Sequence, residues 1–564
     1  MNIKKLIALF IVVIMCTGIL FACSNANQKN KANEKETQST GNENVLSPKE
    51  DGPLVPYDPE ITVTSHLSSL DPTIKFTETE TPEDNVWTRA YKNDLGIKVE
   101  YLWTANSEQG TEKMNLAIAS NNLPDIMRVN RMQFEQLVQA GKLADIKDAY
   151  EKLAGSFIKE TMSRPGGEEA MKVVSRDGKM YALPYFLNCT DDTKNIWIRY
   201  DWLKKLNLPE PKTLDDVIEI ARAFTTKDPD GNGQNDTYGF VMHKDSLTYS
   251  GLATFFNCYH AYPGIWIKDD QGKLINGVTV SERMKPALQK LNELYKEGVI
   301  NKAFGSLDWS SNILEDLMNN KVGIVFGGLW EGWWPLGEMK VADPNVEWKS
   351  YPVLSIDDKP AKAQSMRVLF NGFNVVRSDF EHPEVLIKMA NLCVKYMWES
   401  DAETFAKYGY DSAGNNPWLL CPVYFEAPGK NHTLYLKTVK ALDTGDTSDL
   451  NGEEQLIYGW MKDYLNGDMS RYGIYLSYGH DSSCAKMEHY LNNDLYMLDE
   501  FYGNPTESML EKNTILEKLF QEYGYKIIIG ELPVDSYDEF VEEWYKQGGE
   551  DITNEVNEWY NSIN

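Results

Sequence analysis

The stretch Ile97-Lys-Val-Glu-Tyr-Leu-Trp103, followed by Thr111–Ser120 and then by Pro124-Asp125-Ile126-Met127, sets the fold class. Ile97, Val99, Tyr101 and Trp103 recur at the period of two that places side chains on one face of a strand. From Thr111 the period changes, and Met114, Leu116, Ala117 and Ile118 give a helix one apolar side. Pro124–Met127 then reads as a short strand, Phe134–Ala140 as a helix, and Gly141–Ile146 as a turn with an extended segment. This alternation predicts an α/β fold with a largely parallel sheet and helices on its faces. The same texture returns downstream, with a helix at Ile313–Asn319, a buried strand at Val322–Phe326, a strand at Phe373–Val376 and a long helix at Pro383–Trp398. A body of about 500 residues exceeds what one core supports, so two α/β lobes are expected. No tandem repeat is apparent.

Ahead of this body lies a basic start, Met1–Lys5, an apolar run, Leu6–Leu20, and the small Ala22 before Cys23. A run of about 15 apolar residues is short for a membrane span and suits a secretory signal. Leu20-Phe21-Ala22-Cys23 resembles a lipobox, which predicts cleavage before Cys23 and acylation of its sulfur. An ordinary signal peptide with a chance cysteine is the alternative, disfavoured by the polar tail that begins at Ser24. Residues 1–22 are thus expected to be a signal peptide and 23–57 a flexible tether, because Ser24–Glu43 has almost no large apolar side chain to offset ordering. The expected location is the extracellular face of the cell membrane, with a lipid anchor at Cys23. Folded structure is expected from Pro56 or Ile61 onward. A formal charge of −28 argues against nucleic acid as a partner and against close approach to an anionic membrane. Of seven cysteines, Cys16 and Cys23 belong to the leader, and Cys189, Cys258, Cys393, Cys421 and Cys484 are scattered without a metal-binding or disulfide-framework spacing. A single bridge among them stays open.

Two motifs carry chemistry. Asp228-Pro-Asp230-Gly-Asn232-Gly233-Gln234-Asn-Asp236 follows the EF-hand register: Asp228, Asp230 and Asn232 at positions 1, 3 and 5, Gly233 at the tight turn, the Gln234 carbonyl at 7 and Asp236 at 9. Hard oxygens at this spacing suit a structural Ca²⁺; position 12, however, is Gly239 where an EF-hand carries its bidentate glutamate. A polar surface turn is the alternative. The second motif is Leu329-Trp330-Glu-Gly-Trp333-Trp334-Pro335, which follows the Val322–Phe326 strand and a Gly327-Gly328 turn. Ligand sites in α/β proteins collect at such strand ends, and aromatic platforms with polar neighbours suit a sugar. Trp330 and one of Trp333 and Trp334 are therefore expected to face solute. No GxSxG, HExxH or Walker A pattern occurs, and abundant carboxylates alone imply no paired geometry for glycoside cleavage.

Several stretches, taken in order, resemble the family 1 extracellular solute-binding lipoproteins of Firmicutes carbohydrate ABC importers, in particular the large oligosaccharide binders. They are Leu123-Pro-Asp-Ile126, Asp177-Gly-Lys-Met-Tyr-Ala-Leu-Pro184, Ile198-Arg-Tyr-Asp-Trp-Leu203 with Leu208-Pro209 and Pro211–Asp216, Lys321-Val-Gly-Ile324, His382-Pro-Glu384, and the closing segments from Lys526 to Tyr560. The resemblance implies a two-lobed periplasmic-binding-protein-like fold of type II, with a hinge and an interlobe ligand cleft. It implies an N-terminal lobe of residues 58–187 and 362–420 and a C-terminal lobe of 188–361 and 421–564. It brings Trp87, Tyr185, Trp266 and Arg199 forward as cleft residues, although Trp87 could equally be core and Arg199 could hold the hinge. The loops Tyr408–Asp411 and Tyr478–Asp481 add Tyr410, Asp411, Trp418 and His480. The function implied is capture of an extracellular carbohydrate, an oligosaccharide, by lobe closure and its delivery to membrane permease subunits by a protein otherwise monomeric. The acidic body favours a neutral glycan over a polyanion. Import of a peptide or other polar solute is the alternative, followed by a secreted glycoside-active enzyme and a surface adhesin.

Overall fold

The computed structural model describes residues 52–563 apart from 72–73, 188–192 and 248–249. The signal peptide, most of the tether, Cys23 and Cys189 lie outside the described residues. The main strands are β1 (Ile61–Leu67), β2 (Ile97–Thr104), β3 (Ile126–Val129), β4 (Leu183–Leu187), β5 (Asn195–Arg199), β6 (Tyr238–Phe240), β7 (Val322–Gly327), β8 (Trp348–Tyr351) and β9 (Leu369–Val376). Among the described residues no helix is long and apolar enough to cross a membrane.

Two hydrophobic cores divide this α/β body into two lobes. The first core gathers residues from Val63 to Phe186 and again from Val368 to Phe425. Its sheet has the order β3-β9-β4, with Phe373 opposite Val129 and Asn374 opposite Leu183. Asp125 ties this sheet to the parallel pair β1-β2, since its Oδ2 accepts from the Thr64 amide at 2.8 Å and the Thr64 hydroxyl at 2.6 Å. Its Oδ1 accepts from Arg377 Nη2 at 2.8 Å, just past the end of β9. The helix Val385–Met397, buried along nearly its whole length, backs the first lobe. The second core draws on residues from Ile196 to Ala363 and from Tyr490 to Val556. Its sheet has the order β8-β5-β7-β6, and every residue of β7 is buried. A helical cluster built on Lys430–Thr444, Gly452–Leu465, Tyr472–Tyr478 and Ser483–Asn492 packs around Leu329, Ile457 and Met461.

The sheets differ from the parallel expectation. β9 pairs antiparallel with both neighbours, as does β5, and only β7-β6 is parallel within the larger sheets. Strand–helix rhythm reports local crossovers alone, whereas β9 enters the first lobe from the second and takes the opposite direction. The return also falls later than 362. Ala363–Ser365 still pairs with Tyr496–Leu498, Ala363 lies in the second core, and Val423 to Phe425 remain in the first. Two helix starts lie upstream of where apolar periodicity places them. Ser107–Ser120 and Arg131–Gln139 begin behind Asn106 and Asn130, whose side chains accept the amides of Gln109 and Gln133 and so satisfy free N–H groups of the first turn.

Candidate functional site

The strongest site grows from the end of β7. Trp197 on the neighbouring β5 donates its indole N–H to the carbonyls of Gly327 and Gly328, each at 3.1 Å, and fixes the turn. The helix Leu329–Trp333 follows at once, anchored by the fully buried Leu329, whose carbonyl accepts from the Ser477 hydroxyl at 2.8 Å. Gly332 must be glycine here: a Cβ would stand 2.8 Å from the Trp197 ring. Held this way, the helix presents Trp330, 48 % exposed, and the half-buried Trp333.

These two rings form one wall of a cleft of about 590 Å³. Trp333 is met edge-on by Tyr410 at 5.9 Å, Trp460 at 6.2 Å and Tyr478 at 6.3 Å between ring centroids, so its orientation is locked. The facing wall comes from the first lobe, where Tyr185 on β4 and Trp418 pack against Tyr424 at 5.0 and 5.3 Å. Polar groups sit between the rings. Glu453 Oε1 accepts from the Tyr410 hydroxyl at 2.8 Å and from Lys430 Nζ at 2.7 Å. Glu426 accepts from the Tyr424 hydroxyl at 3.2 Å, and Asn431 from Tyr478 at 3.2 Å. Burial, reinforced by Glu453 and Glu426, pushes the Tyr410 and Tyr424 hydroxyls well above their ordinary range, so they remain neutral donors. Flat apolar faces framed by carboxyl, amide and hydroxyl groups match the two aspects of a pyranose or furanose ring, its C–H face and its hydroxyl rim.

The cleft therefore brings together Trp330, Trp333, Tyr185, Tyr410, Asp411 and Trp418 from the sequence candidates. Asp411 also holds its own loop, accepting the amides of Ala413 and Asn415. Five candidates fall elsewhere. Trp334 points away from the cleft and is 49 % exposed. Trp87 is fully buried; its indole N–H donates to the Tyr408 carbonyl at 3.2 Å and its ring packs on Tyr91, Tyr396 and Tyr408. Trp266 lies in the second core against Phe501, and its amide donates to Asp499 Oδ1 at 3.0 Å. Arg199 is spent on structure: it grips Asp201 with two hydrogen bonds of 2.9 and 2.7 Å, donates to Asn320 at 2.8 Å and covers the Trp202 ring. His480 faces solvent and pairs with Asp443 at 2.9 Å. The residues that periodicity and motif did not single out, Trp398, Tyr424, Glu426, Lys430, Asn431 and Glu453, lie on or just before helices of the helical cluster or in the segment that returns to the first lobe. Tyr478, two residues before His480, is the member of that loop that reaches the cleft.

The acidic loop sits on the rim of the second lobe. Asp228 accepts the amides of Gly231 and Gly233 at 3.0 and 3.1 Å, and Asn232 Nδ2 donates to Asp236 at 3.1 Å. Asp228 and Asp230 share a hydrogen bond; desolvation and then that bond raise Asp230, while the bond and the loop amides lower Asp228. Carboxyl oxygens gathered this closely are the hard donors that a cation such as Ca²⁺ takes. As placed, no three acidic, histidine or cysteine side chains converge on one point among the described residues. Position 12 is closed to a ligand because Gly239 is inside β6, where a Cβ would lie 2.7 Å from the Ala221 carbonyl oxygen. Among the described residues, Cys258, Cys393, Cys421 and Cys484 are buried and none is in a disulfide.

With this geometry in view, comparison with known proteins is informative. Residues 76–368 match the model of the bacterial extracellular solute-binding protein family. Lipoprotein LipO of Bacillus subtilis (strain 168) is 24 % identical over 490 residues, covering 84 % of this chain and 88 % of the relative. The polygalacturonan/rhamnogalacturonan-binding protein YtcQ of the same organism is 24 % identical over 478 residues, covering 82 % and 85 %. Among solved structures, an HMO-binding, ABC-transporter-associated solute-binding protein from Bifidobacterium longum infantis superposes with a TM-score of 0.65 at 16 % identity, covering 89 % of this chain and 98 % of its own. An EF-hand mutant of the Streptococcus pneumoniae ABC-transporter substrate-binding protein FusA, in complex with fructo-nystose, gives 0.60 at 16 % identity, covering 89 % and 99 %. The two-lobed fold is thus the periplasmic-binding-protein-like architecture of these structures.

Proposed function

Since the chain belongs to the bacterial extracellular solute-binding proteins, we propose that it captures a carbohydrate in the aromatic cleft and hands it to the permease of an ABC importer. The observation that carries this reading is the opposition of Trp330 and Trp333 from one lobe to Tyr185, Trp418 and Tyr424 from the other, with Glu426, Lys430 and Glu453 between them. No bond is made or broken. Solute bridging the two walls stabilises a closed arrangement of the lobes in proportion to its preference for that state, and the closed form docks on the permease. Relatives named for polygalacturonan, fructo-oligosaccharide and HMO binding support a glycan as the solute. The lipid anchor at Cys23, and with it a place on the outer face of the membrane, belongs to the same proposal and is supported by the lipoprotein name of one relative. A structural Ca²⁺ in the Asp228–Asp236 loop, held by Asp228, Asp230, Asn232, the Gln234 carbonyl and Asp236, is supported by the donor set and by the EF-hand described for FusA.

The test is thermal unfolding of residues 43–564 against a panel of oligosaccharides and short peptides. A saturable rise in melting temperature with one glycan class, absent in Trp333→Ala, is the expected result. A rise with peptides alone would transfer the importer reading to peptides. Conversion of a captured glycan to shorter products on prolonged incubation would replace binding by catalysis.

A further inference from the structure

Among the described residues lining the cleft, the acidic and basic side chains are Asp411, Glu426, Glu453 and Lys430. Three are acidic, and the single base is engaged: Lys430 Nζ lies 2.7 Å from Glu453 Oε1. Arg128, behind the first-lobe wall, stands against Tyr185 with its guanidinium 4.8 Å from the ring centroid, and donates to the Cys421 carbonyl at 2.9 Å. Tyr185 lines the cleft and Arg128 does not. Recognition of a sugar carboxylate calls for the reverse arrangement, a guanidinium or ammonium presented to the ligand. Carboxylates facing the solute instead accept hydrogen bonds from hydroxyls, which a neutral sugar supplies in abundance. Confinement between aromatic walls lowers the local dielectric and strengthens whatever sign the cleft carries.

Resting on the carbohydrate reading above, we infer that the cleft selects uncharged oligosaccharides and rejects uronic acids, with Asp411 and Glu426 as the discriminating groups. The chain thereby departs from the polyuronate for which one of its relatives is named. The Lys430–Glu453 pair is part of the device: it keeps the one base of the cleft neutralised by a partner of its own, so that a sugar carboxylate would have to compete with Glu453 for it.

The experiment is calorimetric titration with cellotetraose, maltotetraose, β-1,4-galactotetraose and β-1,4-mannotetraose, each beside its C6-oxidised uronate counterpart. The expected result is that any tetrasaccharide captured binds at least tenfold more tightly than its own uronate, with the ratio shrinking as salt is added. Glu426→Gln, which keeps the shape and an acceptor oxygen for Tyr424, is expected to narrow the ratio from the uronate side. A uronate that binds as tightly as its neutral parent, or more tightly, overturns the inference and leaves carbohydrate capture standing. Failure of all eight compounds to bind overturns the carbohydrate reading itself, and this inference with it.

Discussion

Trp333 owes its fixed face to Tyr410, Trp460 and Tyr478, none of which its own stretch of sequence announces. The stretch itself was legible: a buried strand, a glycine pair and three tryptophans in one turn point to an aromatic display at a strand end. Choosing among the three tryptophans needs the end of the helix, which presents Trp330 and Trp333 to the cleft and gives way to extended backbone at Trp334. Trp87 stood open between cleft and core for the complementary reason, because a tryptophan at a helix start has the same local pattern in either place. The two classes separate in experiment. Trp330→Ala, at a half-exposed position, should weaken solute binding about 10- to 100-fold with little change in melting temperature. Trp87→Ala should leave a large cavity and cost about 3–5 kcal/mol in denaturant unfolding. Asp499 supplies a pH signature. Burial, outweighing the amides of Trp266 and Phe501 and the nearby Arg131, raises its carboxyl from 3.8 to about 7. Between those values the native state holds a proton that the unfolded chain has released, so stability falls as pH rises from 3.8 to about 7 and is level above. Asp499→Asn retains an acceptor for both amides. Melting temperatures at pH 4.5 and 7.5 should show the variant gaining on the parent protein as pH rises, whereas parallel curves would remove Asp499 from the account.

At the scale of elements, periodicity located β2, β7 and the long helix Val385–Met397 well, because each buries one side or all of itself against a core. Starts of helices were missed by a few residues, since a capping asparagine acts through one hydrogen bond and leaves no apolar trace. Strand direction was not legible at all: alternation is identical in either sense, and only the path taken between lobes decides it. The Asp228–Asp236 loop leads directly into β6 through Gly239, so loop and strand share one constraint. Gly239→Ala should lower stability even though alanine reduces the entropy of the unfolded chain, because Ala221 leaves the new methyl no room. If the loop holds Ca²⁺, EGTA should lower the melting temperature, and Asp230→Asn together with Asp236→Asn should abolish that sensitivity while leaving glycan affinity within a few-fold. A melting temperature indifferent to EGTA in the unsubstituted protein would leave the loop as a turn held by its own amides.

For the molecule as a whole, two cores with chain passing repeatedly between them make relative motion of the lobes the natural response to a bridging solute. X-ray scattering should show a smaller radius of gyration at saturating glycan, and Trp333→Ala should need correspondingly more ligand for the same contraction. Arg131 of the first lobe donates through Nη2 to the Tyr502 carbonyl at 2.6 Å and to that of Gly503, a tie that the moving parts carry with them or must release. The lobes themselves were legible from chain length and recurring texture, but the exact crossings were not, since hinge residues are read from pairing partners far away in sequence. One of those partners governs how the protein comes into being. β9 is the middle strand of the first lobe's sheet, yet it follows all four strands of the second lobe's sheet in the chain. A chain delivered from its amino end therefore finishes the second lobe's sheet while β3 and β4 still wait with open edges. In ribosome-bound chains halted before Leu369, hydrogen exchange should find Ile198 and Ile324 protected ahead of Val129. Of the two sheets, the one begun first is the one completed last, and a nascent chain halted before Leu369 would carry two unpaired strands for whatever chaperone or neighbouring chain meets them.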